Sequence, residues 1–512
     1  MAVLVVNFGS QYAHLIARRV REAGVYSEIM PFDSTLQEIE AKNPQAIILS
    51  GGPSSVYEEG APWCDPKLFE LGVPVLGICY GHQLMAHLLS GKVEGGQKKE
   101  FGKASLLVNG AETPLFRGLQ EQEPVWFSHG DAVKELPAGF EKTASTETCQ
   151  IAAMANEQKK LYGIQFHPEV AHTPCGKKLI SNFLFEIAKI EPTWRVDKNI
   201  EGQLEQLRNQ VGEEKVIIGV SGGIDSLVAA TLLHKAISSK LYCVFIDHGL
   251  LRKNEATQVL AILNKQGFAN VHFVDASEEF LGALAGVTDP EEKRKVIGHK
   301  FIEVFEKAAR ELEESEHIRF FAQGTIYPDR IESGQPSKQA AKIKSHHNLT
   351  LPEKMNFQVI EPLADYYKDE VRQLGRALGL TPEEVGRHPF PGPGLAIRIL
   401  GEITEERLRI LREADAIFIE ELKKSNFYDR VGQAFAALLP VKSVGVMGDA
   451  RTYDYIISLR SVDTTDFMTA DWSKLPSELL EKTSNRIVNE VRGCNRVVYD
   501  ISQKPPSTIE YE

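Results

Sequence analysis

The chain has 512 residues, 43% of them apolar and 25% charged, with a formal net charge of −12. That length predicts two or three domains, each able to bury a core. The acidic balance argues against a non-specific nucleic-acid or membrane surface, because both need a positive field, and leaves room for a local basic site for an anionic substrate.

Six cysteines, at positions 64, 79, 149, 175, 243 and 494, form no C-x-x-C pair and suit a reducing compartment. The opening Met-Ala-Val-Leu-Val-Val-Asn has no basic n-region, so no secretory leader is expected. No apolar run reaches membrane-spanning length. The expectation is a cytoplasmic protein that binds neither nucleic acid nor membrane.

The first apolar strand, 2–6, ends at Asn7-Phe8-Gly9-Ser10-Gln11 and leads into a helix over about 12–23. A second strand, 46–49, runs into Ser50-Gly51-Gly52-Pro53. A third, 73–78, runs into Cys79-Tyr80-Gly81-His82-Gln83 and a helix over 84–89. Strands alternating with helices in this way predict an open α/β sheet.

Gly77-x-Cys79-x-Gly81 has the mechanics of a nucleophile elbow. A residue on a sharp strand-to-helix turn is exposed at the carboxyl edge of the sheet, small neighbours avoid clashes, and the helix N-terminus favours a thiolate. A lone cysteine is more often a core residue, but two further features support reactivity. A strand over 161–166 delivers His167-Pro168-Glu169, a base with a carboxylate placed to orient it. The glycine turn at 50–53 can aim an amide at a developing oxyanion, so that the N–H groups of Gly52 and Tyr80 form the hole. His82, His87 and His172 fall at no metal-ligand spacing and read as structural or surface residues.

G-I-C-Y-G-H-Q, preceded by S-G-G-P and followed by F-H-P-E, resembles the class I glutamine amidotransferases. The resemblance implies that Cys79 attacks the glutamine amide, that a γ-glutamyl thioester forms, and that ammonia is released. His167 would act as base and then acid, with Glu169 orienting it. Ser128-His129-Gly130-Asp131 resembles a family segment near the glutamine pocket. Asn7 stands where relatives usually carry Asp; it lies outside the triad and is read as harmless.

Pro192 breaks the helix that ends near 188–189, so a first boundary falls at about 190–200. The buried run 215–220 then leads into Ser221-Gly222-Gly223-Ile224-Asp225-Ser226, and a helix starts at Leu227. Strand, glycine-rich turn and helix make a phosphate cradle: glycines let backbone amides approach, and the helix N-terminus adds positive charge. Ser221 and Ser226 can donate hydroxyl hydrogen bonds, and Asp225 can anchor a magnesium ion. The G-x-x-x-x-G-K-[ST] cradle is absent. S-G-G-x-D-S instead resembles the loop of enzymes that split ATP between the α and β phosphates.

Strands over 241–246, 269–275 and 317–322 follow, and their polar ends should line one nucleotide crevice. Asp247 fits a contact to ribose or adenine. Lys368 is a candidate counter-charge for diphosphate, or an exposed helix lysine. Asp329 and Glu332 either hold magnesium or face solvent. The cationic segment 342–348 reads as a lid over triphosphate. A helix over 290–309 carries Lys293 and Arg294 in its first turn.

His388-Pro389-Phe390-Pro391-Gly392-Pro393-Gly394-Leu395 is too rich in Pro and Gly for a helix or strand, and reads as a rigid connector opening a third unit. Beyond it a helix (407–423), strands (442–447, 455–460 and 496–500) and a helix (478–492) predict a small α+β domain. The tail, 504–512, is disordered on composition alone; a strand running straight into Lys-Pro-Pro argues instead for docking.

With R-H-P-F-P-G-P-G-L and K-P-P-S-T-I-E-Y-E added, the order of parts resembles the glutamine-hydrolysing GMP synthetase family. Tyr511 replaces its usual Trp, and Ile224 its usual Val. The resemblance implies two doubly wound, mostly parallel α/β domains (1–190, a glutamine amidotransferase; 191–387, an adenylating domain) and an α+β third (388–512) that forms a homodimer. It implies ATP on Ser221, Gly222, Gly223, Ile224, Asp225, Ser226, Leu227, Asp247 and Lys368, with Mg2+ on Asp225. It places XMP on Arg294, Lys504, Ile509 and Glu510, leaving the rank of Arg294, Arg398 and Arg460 as phosphate ligands open. The implied reaction adenylates the xanthine O2, releases diphosphate, and displaces AMP with ammonia to give GMP. The rivals are an NAD synthetase or tRNA-thiolating enzyme, disfavoured by the acidic charge and by Cys243 lying inside a strand, and a regulatory nucleotide-binding protein, disfavoured by the intact Cys79, His167 and Glu169.

Overall fold

The computed structural model describes every residue except 1–2, 11, 110–112, 171, 335–356, 448–449, 465–466 and 468; the side chains of 96–101, 331–334 and 447 also lie outside the description. The predicted lid at 342–348 and the side chain of Glu332 therefore lie outside the described residues. The chain forms two compact units, Met1–Arg195 and Val196–Glu512.

In the first unit the strands are β1 (Val3–Asn7), β2 (Ser27–Pro31), β3 (Ala46–Leu49), β4 (Val75–Ile78), β5 (Lys92–Val108), β6 (Gln122–Glu135), β7 (Glu141–Ser145), β8 (Ala153–Asn156) and β9 (Leu161–Ile164). They make one nine-stranded sheet in the order β2-β1-β3-β4-β9-β8-β7-β5-β6. β2, β1, β3, β4 and β9 run parallel. Every residue of β1, β3, β4 and β9 is buried, as expected for short apolar runs covered on both faces. Helices α1 (Ala13–Glu22), α2 (Leu36–Ala41), α3 (Tyr80–Leu88) and α4 (Gly176–Ser181) complete the unit. The long β5–β6 pair escapes sequence reading because its Gly, Lys and Glu residues follow no clear period of two.

The second unit begins with α5 (Ile200–Val211), followed by β10 (Lys215–Gly219), α6 (Ile224–Ile237), β11 (Leu241–Asp247), α7 (Glu255–Lys265), β12 (Asn270–Asp275), α8 (Ser277–Ala283), α9 (Pro290–Glu316), β13 (Ile318–Ala322), α10 (Tyr327–Gly334), β14 (Gln358–Ile360), α11 (Lys368–Ala377) and α12 (Pro382–Val385). Its sheet, β12-β11-β10-β13-β14, is parallel throughout. α9 starts where Asp289 accepts the Glu292 amide at 2.9 Å and Pro290 takes the first turn. It runs past the predicted end at 309, because its Glu-rich last turns need no core to remain helical.

α13 (Glu405–Lys424), β15 (Gln433–Met447), β16 (Ala450–Asp463), β17 (Asp471–Trp472), α14 (Ser477–Glu490) and β18 (Cys494–Asp500) follow. β16 is antiparallel to β15 and β17 and parallel to β18. The predicted strand over 442–447 is only the second half of β15. One hydrophobic core joins Ile217, Val244 and Phe321 of the parallel sheet to Ile410, Phe418 and Leu438 beyond residue 388. The Pro/Gly connector is accordingly packed within a unit: at Gly394, with φ +63°, a Cβ would lie 2.4 Å from the Leu250 carbonyl oxygen.

Candidate active sites

Cys79 caps α3 with φ 53° and ψ −106°, a strained conformation for a residue other than glycine. The flanking glycines are required by contact. A Cβ on Gly77 would lie 2.5 Å from the Gly81 carbonyl oxygen, and one on Gly81 2.5 Å from that of Leu49. The end of β9 carries the chain to His167, whose Nδ1 lies 2.7 Å from Glu169 Oε1, with both side chains buried. Thr173 braces the turn, its hydroxyl donating to the His167 carbonyl at 2.7 Å and accepting from the Trp126 amide at 3.1 Å.

Burial opposes charge on His167, yet the negative charge of Glu169 and the facing Cys79 outweigh it and hold the imidazole well above its usual value. A protonated ring beside sulfur is the ion-pair arrangement that thiol hydrolases use. Gly51 touches both partners: a Cβ there would lie 3.2 Å from His167 Cε1 and 3.6 Å from Cys79 Cβ. Gly52 is equally tight, since its Cβ would meet the Phe8 carbonyl oxygen at 2.8 Å and Tyr80 Cγ at 3.2 Å. The two amides named for the oxyanion thus belong to residues packed against each other beside the thiol.

The Ser128–Asp131 segment of β6 also borders the site, with the Ser128 carbonyl 3.8 Å from Cys79 Sγ. Gln83, the last residue of G-I-C-Y-G-H-Q, ties that segment to α3 by donating to the Asp131 carbonyl at 2.8 Å and to Gln165 Oε1 at 3.1 Å. Its position in the motif was the available signal for this role. Asn7 Oδ1 accepts the Gly9 and Ser10 amides at 3.0 and 3.1 Å, so an amide oxygen suffices where relatives carry a carboxylate. His82 is buried, and desolvation pushes it down to about 3, which fits a neutral core residue. His87 and His172 pack against Trp63 and Trp126.

In the second unit β10 ends at a turn in which Gly222 has φ +80° and Gly223 caps α6. Ser226 Oγ accepts the Ser221 amide at 3.2 Å and lies 3.1 Å from Ser221 Oγ, which accepts the Gly223 amide at 3.3 Å. The two hydroxyls therefore hold the loop open at the start of α6. Gly324, beyond β13, lies against it, since a Cβ there would sit 3.1 Å from the Ser226 amide nitrogen. Ile224 and Leu227 face the core. Lys368, the first residue of α11, forms an ion pair with Asp225. The other oxygen, Asp225 Oδ1, is buried without a hydrogen-bond partner, which fits a cation. Among the described residues no group of three or more His, Cys, Asp and Glu is gathered for a metal. Any ion on Asp225 would take its remaining ligands from phosphate and water.

Asp247 ends β11, where its Oδ1 accepts the Gly249 amide at 2.9 Å. It lines a cavity of about 420 Å³ with Lys253, Ser277, Arg409 and Arg412. Asp329 lies in the first turn of α10.

The tail is docked, which corrects the expectation from composition. Arg398, wholly buried, holds Glu510 with Nε–Oε2 at 3.0 Å and Nη2–Oε1 at 2.8 Å, and Gln433 donates to Oε1 at 2.7 Å. Arg460, also wholly buried, donates to the carbonyls of Ser502, Thr508 and Ile509. Ile509 packs with Phe435, Ala437 and Val462. Lys504 Nζ donates to the Phe467 carbonyl at 2.7 Å, and Arg294 to the Glu512 main-chain oxygen at 2.5 Å. Lys293, buried, bonds the Glu512 carboxylate and the Ile399 carbonyl. The sequence reading named Lys504, Ile509, Glu510 and Arg294 but not the two buried arginines as their anchors.

Residues 4–187 match the glutamine amidotransferase class-I family, 196–273 the PP-loop domain, and 420–511 the GMP synthase C terminal domain. A protein of Carboxydothermus hydrogenoformans named GMP synthase (glutamine-hydrolyzing) is 57% identical over 511 residues, covering 100% of this chain and 99% of its own. Proteins of the same name from Aquifex aeolicus and Clostridium novyi are 56% and 55% identical, with the same coverage. The chain belongs to the glutamine-hydrolysing GMP synthase family. Membership accounts for a thiol site and a diphosphate-type loop on one chain. The α/β class also stands, with two sheets containing parallel strands followed by strands and helices at the C-terminal end. No helix among the described residues is long and apolar enough to cross a membrane.

Proposed function

We propose that the chain hydrolyses glutamine and uses the ammonia to convert XMP to GMP, with ATP split to AMP and diphosphate. The observation that carries this reading is the pairing of Cys79, His167 and Glu169 in one unit with the Ser221–Ser226 loop and Lys368 in the other, on a chain matched end to end by its relatives.

Cys79 Sγ attacks the glutamine amide carbon, and the carbonyl pair moves onto an oxygen facing the amides of Gly52 and Tyr80. Protonated His167 gives its Nε2 proton to the departing ammonia, then takes one from the water that opens the thioester. Glu169 keeps the ring oriented and charged. In the second unit the xanthine O2 attacks the α phosphorus, the bridging bond to the β phosphate breaks, and its electron pair leaves with diphosphate. The lactam N–H proton goes to water. Ammonia then adds at C2, loses a proton, and AMP departs with the C2–O pair. A lactam oxygen is a poor leaving group, and adenylation makes it a good one.

Ser221, Ser226 and the loop amides bind diphosphate, Lys368 faces it, Asp247 holds the nucleoside end, and Arg294, Lys504, Ile509 and Glu510 bind XMP. Asp225 would hold a magnesium ion that travels with ATP; bound there, the ion neutralises charge on the leaving diphosphate. Residues 388–512 act as a third, dimer-forming part. In support, Val444, Val446 and Tyr453 leave exposed apolar side chains on one face of the paired ends of β15 and β16. The six free cysteines support a cytoplasmic location.

The test is product identity: XMP, ATP and an ammonium salt should yield GMP, AMP and diphosphate in equal amounts. ADP in place of AMP would overturn the reading.

A further inference from the structure

Arg387 stands at the end of the segment after α12, and its guanidinium faces the Ser221–Ser226 loop. Nη1 lies 3.5 Å from the Gly222 carbonyl oxygen and Nη2 3.3 Å from Gln258 Oε1 on α7. Both contacts are long for N–H···O hydrogen bonds, and both acceptors are neutral. Among the described residues no carboxylate pairs with Arg387. The other cation at the loop, Lys368, is already matched by Asp225. The charges of that pair cancel, so among the described residues Arg387 is the cation at the loop without an acidic partner.

An arginine fork held loosely by two neutral oxygens gives up little when a stronger acceptor arrives. Diphosphate is such an acceptor: planar N–H pairs match two phosphate oxygens, and the bond is charge-assisted. The loop also holds its place firmly, because Gly222 is backed by Val259, one residue from Gln258, and a Cβ on Gly222 would approach it to 3.0 Å. The loop and the Gln258 contact of the guanidinium therefore rest on the same stretch of α7.

We propose that Arg387 is a catalytic residue that binds the departing diphosphate, taking up the charge that leaves when the bridging bond from the α to the β phosphate breaks. The role adds no atom to the step: the xanthine O2 supplies the pair for the new bond, and the broken bond's pair departs on the diphosphate that Arg387 holds. The inference rests on the reading of Ser221–Ser226 as a diphosphate cradle.

The test uses the full chain with XMP, ATP and ammonium chloride, and measures inhibition by added pyrophosphate and, separately, by AMP. Wild type must first release AMP and diphosphate; release of ADP would bring down the cradle reading, and this proposal with it. Loss of a charge-assisted contact is expected to raise the pyrophosphate inhibition constant of Arg387→Met by about 10- to 100-fold and to lower kcat, with AMP inhibition within about twofold of wild type. Arg387→Lys, which keeps the charge but not the fork, should fall between the two. Unchanged pyrophosphate inhibition in Arg387→Met overturns the proposal, as does an equal weakening of pyrophosphate and AMP inhibition, which would mark a merely structural residue. If Arg387→Met melts below the assay temperature, Arg387→Lys carries the test, and wild-type pyrophosphate inhibition in it is the overturning result.

Discussion

Replacing Glu169 by Gln keeps the shape of the site and removes one charge. Glu169 is fully buried, and its Oε1 lies 2.7 Å from His167 Nδ1, so its charge acts on the imidazole with little screening. With about 4 Å between charge centres and an effective dielectric of about 20, the attraction is about 4 kcal/mol, all of it favouring the charged ring. Burial alone drives His167 toward the neutral form, and Glu169 with Cys79 reverses that. The variant should therefore lose most of its imidazolium at neutral pH. Glutamate release from glutamine is expected to fall by about 10⁴, in line with the loss of an orienting carboxylate. GMP formation from ammonium chloride should stay within about twofold of wild type, because the second unit does not use Glu169. Glutaminase within threefold of wild type would refute the electrostatic argument. A parallel loss of the ammonium-driven reaction would refute the separation of the two sites.

Cys79→Ala should abolish GMP formation with glutamine and retain it with ammonium chloride; Asp225→Asn should stop AMP release with either nitrogen source, read by nucleotide chromatography. Gly81→Ala, with its 2.5 Å approach to the Leu49 carbonyl oxygen, should destabilise the first unit by about 1–3 kcal/mol or more, whereas Gly298→Ala, in α9 with open space around it, should gain about 0.5–1 kcal/mol; thermal melts distinguish the two. His248 and His388 are buried and pushed down to about 4, so the unfolded chain binds protons that the folded chain refuses. Their stabilisation is complete above about pH 6.5 and is lost as pH falls from there to about 4, by about 3 kcal/mol for each group. Denaturant titrations across that range check it, and Arg387→Lys should leave the slope unchanged.

Much of both sites was legible because the chemistry sits on short local turns. Gly77-x-Cys79-x-Gly81 and Ser221–Ser226 each join an apolar strand to a helix, and such a junction reads from a dozen residues. The dividing line between the second and third parts was less legible. The Pro/Gly run at 388–395 reads as a connector, yet its end, Gly394 and Leu395, is buried against a core shared by both flanks. The tail gave two opposite signals, polar composition and a rigid Lys-Pro-Pro; its order comes from Arg398 and Arg460, which lie 112 and 48–49 residues from the tail atoms they hold.

Sequence alone determined the two chemistries, the residue types that perform them, and the strand-to-helix turns that expose them, since these depend on neighbours within one turn. Tertiary structure decided which distant groups face those turns: the Ser128 carbonyl beside the thiol, Lys368 against Asp225, Arg387 beside Gly222, and the arginines that seat the tail. Those contacts are set by how sheets and helices stack, and side-chain charge and hydrogen-bonding capacity leave many partners equally acceptable until packing brings one within reach.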